Sequence, residues 1–306
     1  MFVAGAQRRV WCLNLDAEDE LRRGPGYTPS QATEAAVAAA RPLASGLVGA
    51  NDLTAHDLHA PLTSVERQQY RGEAWCPTPR ALRVLAALGV TLPAAPPFDA
   101  LRAVNASRFP YDVLGARLDE SRVLHAREEL EAFLCARPPA SAALLKRAYG
   151  AAGRGKLRVA AGRLTPPARA FLTDAELVLG VVVEPWVRIV LEVSQHGWLA
   201  QDGALTLGQP CVQHVVGGRF VSVRRALPSE LSVLERQTLV EAARTLAAAM
   251  HARGYFGPFG VDAYRYEDAR GARRWNPCGE LNARYTMGYA AGMEGLPRPD
   301  ASAPSC

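Results

Sequence analysis

Arg274-Trp275-Asn276-Pro277-Cys278-Gly279-Glu280-Leu281-Asn282-Ala283-Arg284 decides how the chain is read. Trp275 favours extended backbone, so the stretch reads as the end of a β-strand. Side chains two apart on a strand share a face. Glu280 and Asn282 therefore present oxygen atoms to one side, with Arg284 next along. A hard cation such as Mg²⁺ takes oxygen ligands and keeps several of its waters. Short Glu-x-Asn pairs are mostly solvated, so the upstream sequence has to supply the context.

A second acid stands in Gly260-Val261-Asp262-Ala263-Tyr264. Val261–Tyr266 and Arg273–Cys278 read as a hairpin around Asp268-Ala269-Arg270-Gly271. A turn at 268–271 sets Asp262 opposite about residue 277, and a longer turn sets it opposite Glu280. Local sequence does not choose between these registers. In the second, Asp262, Glu280 and Asn282 converge as a three-oxygen metal set.

Two further stretches complete the pattern. Lys146-Arg147-Ala148-Tyr149-Gly150-Ala151-Ala152-Gly153-Arg154-Gly155-Lys156 puts a lysine before a glycine-rich turn, with strands at Ala142–Ala148 and Lys156–Ala160 on either side. Val181-Val182-Val183-Glu184-Pro185-Trp186-Val187 is an apolar run ending in an acid and an aromatic. A lysine with a glycine loop, then an apolar strand with Glu-x-aromatic-aliphatic, then Asp, then Glu-x-Asn, in that order, resembles the ATP-grasp superfamily. Biotin carboxylase and D-alanine–D-alanine ligase share that plan. The resemblance covers roughly residues 100–290.

It implies an α/β (α+β) chain whose ATP-grasp fold has two subdomains sandwiching ATP, preceded by a small α/β domain. The expected division is 1–110 for the N-terminal domain and 111–292 for the ATP-grasp domain. Within the latter, a lid spans about 120–183 and a larger metal-binding part about 188–292. Residues 293–306 are expected to be a flexible tail.

The resemblance also assigns roles. Lys146 is expected as a phosphate-binding point charge. Gly150, Gly153 and Gly155, with Arg154, form the phosphate cover, because absent side chains let backbone N–H groups approach. Glu184, Trp186 and Val187 flank the adenine site, where Pro185 lacks one donor. Trp186 has the alternative of being plain core. Glu192 is expected near the ribose or a second metal, or as a solvated edge carboxylate. Arg284 and Arg188 are candidates for a substrate carboxylate, which a guanidinium fork matches. The implied cofactors are ATP and Mg²⁺ (or Mn²⁺).

The implied reaction is ATP-dependent activation of a carboxylate as an acyl phosphate, followed by attack of an amine or similar nucleophile. A kinase that stops at phosphoryl transfer and a non-catalytic nucleotide-binding protein are the alternatives. The implied partners are small-molecule carboxylates and amines, and the sequence leaves room for a homodimer.

Composition bounds the rest. The 306 residues suffice for about two domains' worth of core. Half of them are hydrophobic, which excludes a disordered or fibrous class. The net charge of +5 suits anionic small substrates and is too diffuse for a nucleic-acid surface. Cys12, Cys76, Cys135, Cys211, Cys278 and Cys306 are widely spaced, with no C-x-x-C pair, so neither zinc nor a disulfide framework is expected. The first residues lack a secretory apolar core, and no apolar run is long enough to cross a membrane. A cytoplasmic protein without membrane or nucleic-acid partners is the expectation. The histidines His56, His59, His125, His196, His214 and His251 show no metal-ligand spacing.

Elsewhere, Thr28-Pro29 reads as a helix entry before Ala32–Ala40. Leu47–Asp52 reads as a strand. Thr78-Pro79 starts a second helix. Ala168–Val178 reads as one helix. Ser229 is expected to cap a long helix ending at Gly254.

Overall fold

A computed structural model describes residues 8–296 apart from 59, 117, 140, 151–154, 163 and 269. Gly153, Arg154 and the expected tail from 297 onward lie outside the described residues.

The N-terminal part is strand–helix alternation around a small parallel sheet. Its elements are β1 (Arg8–Cys12), α1 (Ala17–Arg23), α2 (Gln31–Ala40), β2 (Leu53–Thr54), α3 (Ser64–Gln69), β3 (Tyr70–Ala74), α4 (Pro79–Ala87), α5 (Phe98–Asn105) and α6 (Phe109–Leu114). The strand order is β2-β1-β3, both pairs parallel. Val10, Tyr70 and Leu85 form a core between sheet and α4. Ser30 caps α2, accepting from the Thr33 N–H, so the entry lies two residues beyond the expected Thr28. The reason is that Pro29 occupies the position before that cap rather than the first helical turn. The stretch 47–52 is no strand: a 3₁₀ turn runs over Arg41–Leu47, and pairing begins only at Leu53.

The second sheet contains β4 (Arg122–Leu124), β5 (Ala142–Lys146), β6 (Lys156–Ala160) and β7 (Val181–Pro185) in the antiparallel order β4-β7-β5-β6. Helices α7 (Arg127–Cys135), α8 (Pro166–Phe171) and α9 (Asp174–Leu179) accompany it. Leu130, Leu134, Leu145, Leu172, Val181 and Val183 fill its core. The single helix expected over 168–178 is two, because Thr173 breaks it and caps α9 by accepting from the Glu176 N–H.

The third sheet has six strands: β8 (Arg188–Leu199), β9 (Leu205–Leu207), β10 (Cys211–Val216), β11 (Arg219–Arg225), β12 (Gly257–Glu267) and β13 (Arg273–Asn282), with α10 (Val233–Ala252) and α11 (Tyr289–Met293). The order is β11-β10-β8-β12-β13, with β9 also on β8. Gly217 and Gly218 join β10 to β11, both at positive φ (58° and 77°), as a two-residue hairpin requires. Helix α10 buries Leu239, Ala243, Leu246 and Met250, one face at helical spacing. Its cap is Ser232, in a reciprocal box with Glu235, rather than the expected Ser229. Pro228 instead opens a short 3₁₀ turn over Pro228–Glu230.

The largest core runs from Trp11 and Leu21 through Leu246 and Phe259 to Tyr285, so the N-terminal residues and the third sheet share one interior. The class is α+β: a parallel N-terminal sheet, a small antiparallel sheet with helices, a two-residue link at 186–187, and a larger antiparallel sheet. That is the α+β class expected from the order of the motifs.

Candidate functional site

The site is built where the second sheet faces β12 and β13. Hairpin pairing sets Lys146 directly opposite Lys156, so both ammonium groups project from one face. Like charges facing each other are unfavourable unless compensated, and two glutamates compensate them. The Nζ of Lys146 is 2.7 Å from Glu184 Oε2, and both side chains are buried. The same Nζ donates to the carbonyl of Gly279 at 3.0 Å, crossing to β13. The Nζ of Lys156 is 2.7 Å from Glu280 Oε2, a second bridge between the sheets.

Glu184 also accepts from the hydroxyl of Tyr111. Burial, reinforced by Glu184, pushes that phenol well above its ordinary value. The glutamate expected beside adenine thus has its side chain turned to Lys146.

On the third sheet, Asp262 and Glu280 are directly paired across β12 and β13. A bulge between Asp262 and Tyr264 makes this possible, since Tyr264 pairs with Asn276. Of the two registers open to the sequence, the one that brings the acids together is realised. Pro277 is tolerated because β13 is an edge strand. Asp262 Oδ1 accepts from Gln213 Nε2 at 2.7 Å, and Oδ2 accepts from Asn282 Nδ2 at 3.0 Å. Burial and then the nearby Glu280 charge push the Asp262 carboxyl up to about 6. Burial works the same way on Glu280, but Lys156, with Lys146 and Arg284 further off, outweighs it and holds that carboxyl below its usual range. Glu192, paired with Tyr264 and Gln213, has its carboxyl raised by burial, with Lys156 opposing and Glu280 adding.

The remaining candidates stand elsewhere. Arg284 bonds to Glu18, donates to the Tyr285 carbonyl at 3.1 Å and stacks over Trp75 at 5.4 Å. Arg188 is exposed and donates to Glu267 at 2.8 Å, at the far end of β12 from Asp262. Trp186 is not core: it is 47% exposed, with the Arg158 guanidinium 4.8 Å from its ring. Its backbone N–H is used by Ala142, and Val187 follows it in the link. Gly150 and Gly155 approach so closely that a Cβ on Gly155 would lie 2.6 Å from Gly150 Cα. Their absent side chains are therefore needed to close the hairpin itself.

Lys156, Gln213 and Tyr111 were missed by the sequence reading. For Lys156 a signal existed, because a hairpin that makes Lys146 important also faces it with Lys156. Gln213 and Tyr111 are joined to the site only by tertiary packing.

The donor set suits a hard cation that keeps water ligands: two facing carboxylates and, once the Asn282 amide turns its oxygen rather than its Nδ2 toward Asp262, an amide oxygen. The Asp262 carboxyl is raised first by burial and then by the facing Glu280 charge, and a cation between the two acids would offset both. Among the described residues, no group of three or more His, Cys, Asp and Glu is placed to hold a metal, so Asn282 is the third protein ligand on offer.

No family model matches the chain, and no curated protein does. Among solved structures, it is similar to N5-carboxyaminoimidazole synthetase from Staphylococcus aureus complexed with ADP, at 13% identity and a TM-score of 0.46, over 70% of this chain and 54% of that one. It is similar to carboxyaminoimidazole ribonucleotide synthase from Aspergillus clavatus complexed with ATP, at 17% identity and a TM-score of 0.47, over 92% and 71%. It is also similar to D-alanyl-alanine synthetase A from Vibrio cholerae, at 14% identity and a TM-score of 0.47, over 70% and 65%. The chain spans about half the length of the first of these. Among the described residues, no helix is long and apolar enough to cross a membrane.

Proposed function

We propose that this chain is an ATP- and Mg²⁺-dependent ligase that activates a carboxylate and joins it to an amine or similar nucleophile. One observation carries the reading: where the second sheet meets β13, Lys156 pairs with Glu280, which faces Asp262 on β12, and beside it Lys146 pairs with Glu184 and donates to the Gly279 carbonyl. Opposed cations and anions at a sheet boundary are what a nucleotide triphosphate with its metal needs.

In this reading Lys146 and Lys156 exchange their glutamate partners for phosphate oxygens. Gly150 and Gly155, with Gly153 and Arg154, cover the phosphates. Glu184, Trp186 and Val187 border the adenine, and Glu192 the ribose side. Asp262, Glu280 and Asn282 would hold the metal, which would supply positive charge to offset that building on the transferred phosphoryl group. The chain's own contribution is positioning and electrostatic preorganisation, so no covalent nucleophile is required. Arg284, on the segment following Asn282, is the candidate for the substrate carboxylate. Arg188 has no part unless the sheet end moves. The division at about residue 110 and the lid of 120–183 are the mechanical counterpart of this scheme.

The test is nucleotide-dependent ADP release over pools of carboxylates and amines, with mass spectrometry of the products. ADP formation that requires both pools supports the ligase. ADP formation without an amine indicates a kinase. ATP affinity that is equal with and without a chelator removes the metal site.

A further inference from the structure

A second site lies in the N-terminal sheet. In the order β2-β1-β3, the chain leaves the central strand β1 toward β2 on one side and returns to β3 on the other. Parallel sheets open a crevice at such a switch point, beyond the carboxyl ends of the strands, and ligands bind there. Here that crevice is a cavity of about 550 Å³. Cys12 and Leu13 at the end of β1, and Ala55 at the end of β2, form its floor, and α2 forms a wall. The volume is that of a small-molecule site.

Its polar lining is unsatisfied. Asp16 is 2% exposed; its Oδ1 binds Arg80, while its Oδ2 has no hydrogen-bond partner. Nε of Arg41 is buried and equally unpartnered, whereas Arg80 is held between Asp16 and Glu20, its Nε 3.8 Å from Glu20 Oε2. Arg41 has no ion pair among the described residues, yet its charge reaches across the cavity: after burial, it is the main influence holding the His56 imidazole below its ordinary value. Buried polar atoms are hydrogen-bonded as a rule. A free carboxylate oxygen calls for a donor, and a free guanidinium calls for an anion. Between them Leu13, Val37 and Val84 offer apolar surface.

We propose that this cavity binds a small zwitterion with an apolar body, its carboxylate on Arg41 and its ammonium on Asp16. The free amino acids are the simplest members of that class. The inference goes beyond the ligase reading and does not depend on it, because the cavity is separate from the lysine–carboxylate set and its test uses neither nucleotide nor metal.

The probes are free apolar amino acids, their C-terminal amides and their N-acetyl derivatives, added to the full chain without nucleotide. Thermal unfolding and calorimetry are the readouts. The expected result is a rise in Tm of roughly 5 °C or more for one free amino acid at about 100 times its Kd. The amide and the N-acetyl form should each lose at least about tenfold in affinity, because each leaves one buried group unpaired. Ala38→Phe, at an exposed position on the cavity wall, should abolish binding without lowering the ligand-free Tm. Arg41→Gln should abolish carboxylate-dependent binding. The proposal is overturned if no free amino acid binds at millimolar concentration, which would leave the cavity to solvent. It is equally overturned if the blocked forms bind as well as the free ones, or if binding survives Ala38→Phe.

Discussion

Lys156 Nζ lies 2.7 Å from Glu280 Oε2, joining two sheets whose strands are far apart in the chain. The pair is open to solvent on one side, with 39% and 30% of the two side chains exposed. Exposed pairs of this kind contribute no more than about 1 kcal/mol. Its significance is that it releases easily, freeing a cation and a carboxylate at the site where phosphate and metal are proposed to enter.

Glu280→Gln tests that. The substitution keeps shape and removes one charge. Turnover should fall by roughly 10²-fold or more, equivalent to about 2.7 kcal/mol of barrier. Ligand-free stability should stay within about 1 kcal/mol of wild type, since only a partly exposed pair is lost. Steady-state kinetics at saturating nucleotide and Mg²⁺, with a urea titration alongside, check both. Turnover within about twofold of wild type would remove Glu280 from the reaction.

Lys146 behaves differently because its pair with Glu184 is buried on both sides. Lys146→Ala leaves the Glu184 carboxylate in a dry interior with the Tyr111 hydroxyl and only the more distant charge of Lys156. Breaking a buried pair from one side costs about 3–5 kcal/mol. Adding Glu184→Gln should recover most of it. A double-mutant cycle by denaturant unfolding reads this directly, and a loss below about 1 kcal/mol for Lys146→Ala alone would show that the pair opens to water.

Gly155→Ala probes the hairpin tip. The new Cβ would meet Gly150 backbone at 2.6 Å, and backbone cannot swing aside as a side chain can. The strands β5 and β6 should part near the tip, at a cost of about 1–3 kcal/mol. Nucleotide affinity should fall at least about tenfold as Lys146 and Lys156 lose their common face. Calorimetric titration with ATP checks it, and wild-type affinity in a folded variant would detach the hairpin from nucleotide binding.

Stability should also depend on pH through His196. This ring is buried, with Ser194 Oγ 2.9 Å from Nε2 and Thr286 Oγ1 3.1 Å from Nδ1. Burial pushes its pKa down to about 4 from 6.5. Between those values the unfolded chain takes a proton that the folded chain refuses. Its contribution is therefore intact above pH 6.5 and is lost as pH falls toward 4, at about 1.4 kcal/mol per unit and about 3 kcal/mol in all. Urea titrations at several pH values, on wild type and His196→Gln, separate this slope from that of other groups. An unchanged slope in a folded His196→Gln would show that His196 is not the source.

Much of the site could be read from short stretches, and the physical reason is period. Glu280 and Asn282 share a face because strand side chains alternate, and Lys146 and the glycine tip follow from a hairpin's local geometry. The apolar run 181–183 reads as a buried strand, and all three valines are buried. The α+β class followed from the order of such stretches. Helix entries were less legible: Thr28 and Ser30, or Ser229 and Ser232, are chemically similar caps. Which one closes the helix depends on a hydrogen bond to a particular backbone N–H.

Only the tertiary structure decided what meets what. The bulge between Asp262 and Tyr264 selects the register that faces Asp262 with Glu280, and packing of β12 between β8 and β13 holds it there. Arg284 pairs with Glu18, and Lys156 with Glu280, across long stretches of intervening chain. Such contacts leave no periodic trace in the sequence, because they are set by how separate sheets pack rather than by the backbone geometry of either partner.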